Sequence, residues 1–222
     1  MPSRTFFGLS AGKQRKIIQA ARTVFAAAPY TEVTIADIVN LAEIPRGSFY
    51  QYFADKEDLY LYLLKTFMDD FQAKFLSNLV SLQGDLFATF RLSLQQTAAF
   101  LATSPDRGLL RNLFMRIDYH DFQKFSQRQP HQPPHPHHLL SKWSAEVEQQ
   151  TDFTKLRIKP DEFYLLFRML LMILGHSTAH YFSTVEEQPE QASATFQQQY
   201  EMVLSWFEHG VALNSQGGNK DA

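Results

Sequence analysis

The residues from Val33 to Tyr60, VTIADIVNLAEIPRGSFYQYFADKEDLY, constrain the fold of this chain more than any other stretch. Thr34 stands three residues before Asp37, a spacing at which a hydroxyl and a carboxylate can each accept a backbone N–H at the start of a helix. Apolar residues then recur at helical spacing, at Ile35, Ile38, Val39 and Ala42. This pattern predicts a short helix with one buried face.

A second short helix follows at once, with Pro45 predicted just inside its first turn. Its two sides differ, because Phe49 and Phe53 lie on one and the polar or small residues on the other. The polar or small set comprises Arg46, Gly47, Ser48, Tyr50 and Gln51. Asp55 can cap a third helix that begins near Lys56. Two short helices joined by a tight turn are typical of a helix-turn-helix, whose second helix enters the major groove of DNA.

The segment TIADIVNLAEIPRGSFYQYFADKEDL resembles the DNA-binding segment of the TetR family of bacterial transcriptional regulators, and RGSFYQYFADKEDL is its most specific part. The resemblance covers roughly Gln14 to Leu64. It implies an all-α protein with an N-terminal three-helix DNA-binding head and a C-terminal helical bundle for ligand binding and dimerisation. Members commonly carry glycine in the turn between the two helices, where this chain has Glu43. We expect this turn to avoid a positive φ or to absorb modest strain.

The resemblance assigns DNA contacts to Thr34, Arg46, Gly47, Ser48, Tyr50, Gln51, Tyr52 and Lys56. Arg46 is the only long cation on the second helix, and a guanidinium can bond both acceptors of a guanine edge. Gln51 is expected to add a base contact and Gly47 to allow close approach, while the other residues hold phosphates. For Tyr50 and Tyr52 the alternative is packing beneath the helix.

Charge is distributed unevenly along the 222 residues, whose net charge is −2. Residues 1–53 hold six Lys or Arg against three Asp or Glu, a net +3, so the remainder carries −5. A basic head on an acidic body is the layout expected of a DNA-binding module joined to a sensing or dimerising module. Lys13, Arg15 and Lys16 could reach phosphates, although a solvated basic turn is the plainer interpretation.

Helical periodicity and cap residues predict the rest of the chain as helices separated by Gly and Pro. The predicted helices follow Ser10 as far as Pro29, Asp55 through Phe75, Asp85 to about Thr103, and Ser104 through Phe125, and then cover Leu139–Gln150, Pro160–Phe182 and Pro189–Leu213. We place the head at residues 1–55, the ligand-binding and dimerisation domain at 56–214, and a disordered tail at 215–222.

The chain has twenty phenylalanines, and they are frequent across the helices of the predicted second domain. Aromatic residues at helical spacing belong more often to a core than to a pocket. The family resemblance nevertheless implies a small-molecule site, for which Phe67, Phe71, Phe114 and Arg168 are the candidate contacts. Arg168 interrupts an apolar helix, so if buried it needs an internal acid or an acidic ligand group as its partner.

The segment QPHQPPHPHH, residues 129–138, holds four prolines and is predicted to be a loop. Its four histidines raise the possibility of a metal site, but no acid provides a second shell, so we predict no metal. His176 and His180 lie four residues apart, a spacing that more often reflects packing than a metal pair. We also predict no cofactor.

The last two predicted helices resemble the dimer-forming pair of the family, with one apolar stripe at Ala192, Phe196, Tyr200, Val203, Phe207 and Val211. We expect a homodimer that binds a palindromic DNA operator and responds to an unidentified small, largely apolar molecule, most simply as a repressor. A structural or division-related DNA-binding protein on the same fold is the alternative.

Catalysis is not expected, because no set of acids and nucleophiles surrounds the histidines. The absence of cysteine excludes disulfides and cysteine nucleophiles and fits a reducing cytoplasm. The longest apolar segment, Phe163 to Leu174, is too short to span a bilayer. We therefore expect a soluble cytoplasmic protein without a membrane partner.

Overall fold

The structure is a computed structural model that describes residues 1–104, 106–114, 137–185 and 189–211, and these residues are organised almost entirely as helices. The helices are α1 (Arg4–Phe7), α2 (Ala11–Ala27), α3 (Ile35–Ala42), α4 (Arg46–Tyr52), α5 (Lys56–Ser81), α6 (Leu86–Thr103), α7 (Arg107–Phe114), α8 (His137–Gln150), α9 (Pro160–Thr184) and α10 (Pro189–Val211), with a 3-10 turn at Phe153–Lys155. The predicted all-α class is confirmed. Within the described ranges, no helix is both long and apolar enough to cross a membrane.

Side-chain caps start the helices at the positions that the sequence indicates. Each cap accepts a hydrogen bond from a backbone N–H that the first helical turn leaves without a partner. The bonds join Ser10 to Lys13 N at 3.4 Å, Thr34 to Asp37 N at 3.2 Å, Asp55 to Asp58 N at 2.7 Å and Asp85 to Ala88 N at 2.9 Å. Two starts differ from expectation. Pro45 occupies the N-cap of α4 rather than its first turn, and α8 begins at His137, two residues before the predicted start.

The described residues form two compact units. The head unit comprises residues 1–71 and the described residues from 101 to 114, and the second unit comprises residues 72–100 and the described residues from 137 onward. The division falls inside α5 and inside α6, so neither helix belongs to one unit alone.

The core of the head unit joins α1–α4 to the start of α5. Its fully buried side chains come from all five helices and include Phe6, Ile17, Phe25, Ile38, Phe49 and Leu59. Helix α1 is missing from the sequence-based prediction of three helices. Its residue Phe6 is 0% exposed, and the ring centroid lies 5.0 Å from that of Phe53. The short N-terminal helix is therefore an integral part of this core.

Helix α7 also packs on the head unit, although it lies some 80 residues after α2 in the chain. Arg22 on α2 makes a two-pronged ion pair with Asp106, with Nε and Oδ1 2.8 Å apart. This pairing raises the pKa of Arg22. At the C-terminal end of α2, about one turn beyond Arg22, the Asn112 amide donates to the carbonyls of Phe25 and Ala28 at 2.9 and 3.0 Å. These bonds satisfy carbonyls at the end of α2 that have no partner within the helix.

Five aromatic side chains form the centre of the second unit: Phe75, Phe90, Trp143, Phe163 and Phe167. All are at most 3% exposed. Trp143 and Phe167 lie 4.9 Å apart edge to face, and Phe75 and Phe90 lie 5.0 Å apart in the same arrangement. These geometries are those that aromatic pairs prefer in a packed interior. At these positions the aromatic stripe forms a core.

Helix α10 is tied to α6 through Arg91. The Arg91 guanidinium donates from Nε to Glu201 at 2.7 Å and from Nη1 to Glu208 at 3.1 Å. The bond to Glu208, followed by the bond to Glu201, raises the pKa of Arg91 against the opposing effect of its partial burial. Beside this pair Tyr200 is fully buried, and its burial raises the pKa of its hydroxyl. The position of α10 is thus fixed by polar as well as apolar contacts.

Helices α9 and α10 each present a second, exposed apolar face. On α10 the buried stripe is Phe196, Tyr200 and Leu204, rather than the predicted continuation through Val203 and Phe207, which are only half-buried. The exposed large apolar side chains on the two helices are Leu165, Met169, Met172, Met202 and Trp206, with exposures of 41–63%. Apolar faces of this kind commonly mark an interaction surface.

The turn between α5 and α6 depends on Gly84. Its φ is +74°, and a Cβ built there would lie 2.6 Å from Asp152 N and 2.7 Å from Gln150 O. The Gly84 carbonyl also accepts a hydrogen bond from Asp152 N at 2.9 Å. The neighbouring Gln83 has a φ of +53° but is exposed. Two adjacent residues therefore share the left-handed conformation, and only one of them lacks room for a side chain.

We expect Gly84→Ala to destabilise the protein by about 2–4 kcal/mol, because left-handed strain and overpacking act together. Gln83→Gly is the matched control, since it relieves left-handed strain at an exposed site and should leave stability equal or higher. Urea unfolding of both variants measures the difference. Equal midpoints for Gly84→Ala and the wild type would contradict this account of the turn.

Candidate nucleic-acid interface

Helices α3 and α4 form the helix-turn-helix around a left-handed residue. Glu43 ends α3 with φ 53° and ψ 48°. The Ile44 N–H donates to Val39 O at 3.0 Å, and the Glu43 N–H donates to Asn40 O at 3.2 Å. This is the Schellman arrangement, which satisfies the last carbonyls of a helix and turns the chain sharply. The turn fixes the angle at which α4 leaves α3.

Glu43 adopts the positive φ that glycine would adopt more easily, so the turn absorbs strain rather than avoiding it. For a residue with a Cβ this conformation costs about 1–2 kcal/mol. The Glu43 carboxylate accepts a hydrogen bond from Lys16 Nζ at 2.5 Å, and this bond lowers the pKa of Glu43. Lys16, a candidate phosphate contact, is therefore paired within the protein.

A full capping box starts α3, as the spacing of Thr34 and Asp37 predicts. The Thr34 hydroxyl accepts from Asp37 N at 3.2 Å and donates to Asp37 Oδ2 at 2.6 Å. The Thr34 N–H donates to the same carboxylate oxygen at 2.9 Å. The hydroxyl bond, followed by the backbone bond, lowers the pKa of Asp37. Thr34 is exposed, but its hydroxyl proton already has an acceptor.

Helix α4 has one face in the core and one face in solvent. Phe49 is 0% exposed and Tyr52 is 4% exposed, whereas Tyr50 is 51% exposed. The predicted DNA contacts on the solvent face are Arg46, Gly47, Tyr50 and Gln51, with Ser48 half-exposed beside them. Four predicted contact residues thus lie together on the exposed face of one seven-residue helix.

Tyr52 and Lys56 have other positions than those expected of phosphate contacts. The Tyr52 ring is buried against Phe6, so the packing alternative applies to Tyr52 and not to Tyr50. Lys56 Nζ donates to the carbonyls of Tyr30 and Val33 at 2.7 and 2.6 Å and lies 4.4 Å from the centroid of the Tyr30 ring. Two of its three N–H donors are used inside the head unit, which gives Lys56 a structural role.

Gly47 has no neighbour that requires it to be glycine. A Cβ built at this position meets no atom within 4 Å. Glycine inside a helix costs about 0.5–1 kcal/mol relative to alanine. The packing of the head unit therefore does not explain glycine here.

Ser3 is not among the residues predicted from the sequence, although its side chain and backbone both contact the end of α4. The sequence does contain a signal for the short helix that Ser3 begins. Ser3 is a residue type that caps helix N-termini, and Gly8, which follows Phe6 and Phe7, is typical of a helix end. The predicted start of the first helix at Ser10 left this segment unassigned.

Of the four candidate ligand contacts, three have side chains that the structure describes. Phe67 and Phe71 are half-buried on the part of α5 in the head unit. The side chain of Phe114 is outside the described part of the structure. Arg168 is exposed on α9, so the burial that would require an internal acid or an acidic ligand group as its partner does not apply. A surface groove of about 470 Å³ in the second unit is lined by other residues, namely Leu76, Ser77, Val80, Glu146, Gln149 and Gln150.

The histidine-rich segment lies mostly outside the described residues. Positions 129–136 are not described, and His137 and His138 belong to α8. His176 and His180 are both exposed on α9, and Nδ1 of His180 lies 2.9 Å from the Thr184 hydroxyl. In the described ranges, no three His, Asp or Glu side chains are placed to hold a metal ion together.

Comparison with known proteins decides the family. Residues 17–63 match the family description "Bacterial regulatory proteins, tetR family". Residues 85–211, more than half of the chain, match "Tetracyclin repressor-like, C-terminal domain". The chain belongs to the TetR family. It is accordingly a DNA-binding transcriptional regulator, and its TetR helix-turn-helix coincides with α3 and α4.

Individual relatives are distant. The HTH-type transcriptional regulator HbdR of Aromatoleum sp. (strain CIB) is 35% identical over 60 residues, which are 27% of this chain and 26% of HbdR. The match thus spans about a quarter of the length of that curated relative.

Two solved structures show the same fold at low identity. SmeT, the repressor of the Stenotrophomonas maltophilia multidrug efflux pump SmeDEF, superimposes with a TM-score of 0.63 at 14% identity over 94% of this chain and 96% of SmeT. The transcriptional regulator FadR from Bacillus subtilis, in complex with stearoyl-CoA, has a TM-score of 0.59 at 17% identity over 86% of this chain and 97% of FadR.

We expect Gly47→Ala to stabilise the head by about 0.5–1 kcal/mol and at the same time to weaken DNA binding. Gly12→Ala is the matched control, because Gly12 is also helical, exposed and without a neighbour within 4 Å of its Cβ position. Thermal unfolding and DNA titration distinguish the two variants. If both variants bind DNA with wild-type affinity, Gly47 is not needed for a close approach of α4 to DNA.

Proposed function

We propose that this TetR-family regulator is a repressor that binds a palindromic operator as a homodimer and is released by a small, largely apolar molecule. The observation that carries the proposal is the exposed face of α4, where Arg46, Gly47, Tyr50 and Gln51 lie together in a helix-turn-helix. A two-fold dimer presents two such helices to successive major grooves, and this arrangement requires an approximately two-fold operator.

Base reading is assigned to the two long side chains on this face. The Arg46 guanidinium can bond O6 and N7 of guanine, and Gln51 can bond an adenine edge. Ser48 and Tyr50 lie on the same helix with hydroxyl groups suited to phosphate oxygens. Thr34 caps α3 instead, because its hydroxyl and its N–H both donate to Asp37. Tyr52 and Lys56 are left out of the interface because both are used inside the head unit.

Dimerisation is supported by the exposed apolar faces of α9 and α10. Met172 and Trp206 are 62% and 63% exposed, which is unusual for side chains of this size in a monomer. Burial of each in an interface would contribute about 1.5–3 kcal/mol before the entropic cost of association. We assign this surface to a second copy of the chain, as usual in the family.

Release by an apolar effector is supported by the composition of the second unit and by the relatives. SmeT is named as a repressor and FadR is bound to stearoyl-CoA, an acyl chain on a polar carrier. Helices α5 and α6 each have residues in both units, so both are continuous connections through which an effector could act. A tenfold loss of operator affinity requires about 1.4 kcal/mol of coupling.

Replacing Arg46 by Ala should weaken binding to the operator by about 1–3 kcal/mol and relax preference at one base pair in each half-site. The operator is obtained by selecting a random-sequence duplex library with the wild-type protein. Arg15→Ala is the matched control, since Arg15 is an exposed cation of the head on α2. Titrations on selected and mismatched duplexes at two salt concentrations give the comparison. A uniform loss on every duplex would make Arg46 a phosphate contact.

Replacing Trp206 by Glu should produce monomers and abolish tight operator binding in the same variant, because an unpaired charge in an apolar interface is strongly unfavourable. Gln197→Glu is the control. Gln197 is exposed nine residues earlier, which at about 3.6 residues per turn places it on the opposite side of α10. Sedimentation and operator titration give both readouts. A dimeric Trp206→Glu protein would show that the interface lies elsewhere.

A further inference from the structure

Helix α1 holds the C-terminal end of the recognition helix α4 through a single residue. The Ser3 hydroxyl donates to Gln51 O at 2.5 Å, and the Ser3 N–H donates to Tyr52 O at 2.8 Å. Gln51 and Tyr52 are the last two residues of α4, so their carbonyls lack partners within the helix. One residue from outside the helix-turn-helix therefore satisfies both.

The same hydroxyl also starts α1. Ser3 Oγ accepts a hydrogen bond from Phe6 N at 3.3 Å while it donates to Gln51 O. A serine hydroxyl has one donor and two acceptor positions, so both bonds form at once. The N-terminus of α1 and the C-terminus of α4 thus meet at one oxygen atom, and neither end is independent of the other.

Phe6 fixes α1 against the buried face of α4. Its ring centroid lies 6.3 Å from that of Tyr52, 5.0 Å from that of Phe53 and 5.8 Å from that of Tyr62. The side chain is 0% exposed. Phe6 therefore supplies apolar contact behind α4, while Ser3 supplies the polar contact at its end.

We propose that α1 is a positioning element for DNA recognition, and that Ser3 sets the order of the last turn of α4, where Gln51 reads the operator. Ser3 does not touch DNA and acts through Gln51. This inference rests on the proposed base contact of α4 and extends it to a segment outside the helix-turn-helix. If the last turn of α4 frays, Gln51 is displaced from its base, but the attraction between the basic head and the DNA phosphates is unchanged. Affinity is therefore lost for the operator and not for DNA of other sequences.

The test compares Ser3→Ala with Ser3→Thr. Alanine removes the hydroxyl and both of its bonds, whereas threonine keeps them. The DNA probes are the duplex that the wild-type protein enriches from a random-sequence library and a scrambled duplex of the same composition. We expect Ser3→Ala to bind the enriched duplex about three- to tenfold more weakly, as for the loss of a helix cap, and the scrambled duplex unchanged. Ser3→Thr should restore wild-type affinity.

Hydrogen exchange of the free protein tests the positioning without any DNA. In Ser3→Ala the amides of Gln51, Tyr52 and Phe53 should exchange faster, while those of α3 stay protected. Phe6→Leu provides a second route, because it keeps an apolar side chain and removes the ring contacts to Tyr52 and Phe53. It should lower affinity for the enriched duplex and leave the scrambled duplex unaffected.

The results that overturn the inference differ from those that overturn the proposed function. Unchanged amide exchange together with wild-type affinity in Ser3→Ala rejects the positioning role while base reading by α4 stands. An equal loss on both duplexes also rejects it, since that result indicates a general change in the head. If the wild type enriches no sequence, base reading fails, and the amide exchange alone decides whether Ser3 orders α4.

Discussion

A recognition helix of seven residues cannot be stable by itself, and the head unit is built around that constraint. Isolated helices shorter than about 12–15 residues are marginal in water, because the first turn orders several residues for one hydrogen bond. Helix α4 is stabilised from outside instead, by burial of Phe49 and Tyr52 in the head core. Burial of a large apolar side chain contributes about 1.5–3 kcal/mol. The exposed face of α4 is not needed for this stability, so it can carry the residues that we propose as DNA contacts.

This dependence extends to parts of the chain that are distant in sequence. Gly108 on α7 approaches α2 so closely that a Cβ there would lie 2.1 Å from Ala26 O. Asp106 and Asn112, on either side of Gly108 in the sequence, both bond to α2, through Arg22 and the Phe25 carbonyl. Helix α2 in turn packs on α3. The surface presented to DNA is therefore specified by residues from Ser3 to Asn112, a span far longer than the helix-turn-helix itself.

Local patterns explain why much of the fold was predictable from the sequence. A cap such as Thr34 or Asp85 acts on a backbone group three residues away, so the sequence alone contains the whole interaction. Contacts between segments that are distant in the chain produce no comparable local pattern in the sequence. The hydroxyl of Ser3 reaches a residue 48 positions later, and no pattern around Ser3 indicates that partner. The packing of α7 on α2 shares this cause.

The same distinction explains which candidate site residues could be placed correctly. Helical periodicity separates Phe49 from Tyr50 and places Tyr52, three residues after Phe49, on the buried side of α4. It does not predict the internal partners of Lys56, which is the first residue of α5. The Tyr52 ring packs against Phe6, and the Lys56 ammonium donates hydrogen bonds to the carbonyls of Tyr30 and Val33. Arg168 shows the reverse case, because the exposed face of this apolar helix leaves room for a solvated charge.

Glu43 shows how the fold tolerates a residue that the turn itself disfavours. A Schellman turn demands the left-handed conformation whichever residue occupies it, because its two hydrogen bonds return to α3. Glycine would relieve the strain but would contribute no side chain. Glutamate instead reaches Lys16 on α2, and this pair links the turn to the helix on which α3 packs. The pair is exposed, so its energetic contribution is small. Its effect is geometric, because it adds a contact between α2 and the residue that sets the direction of α4.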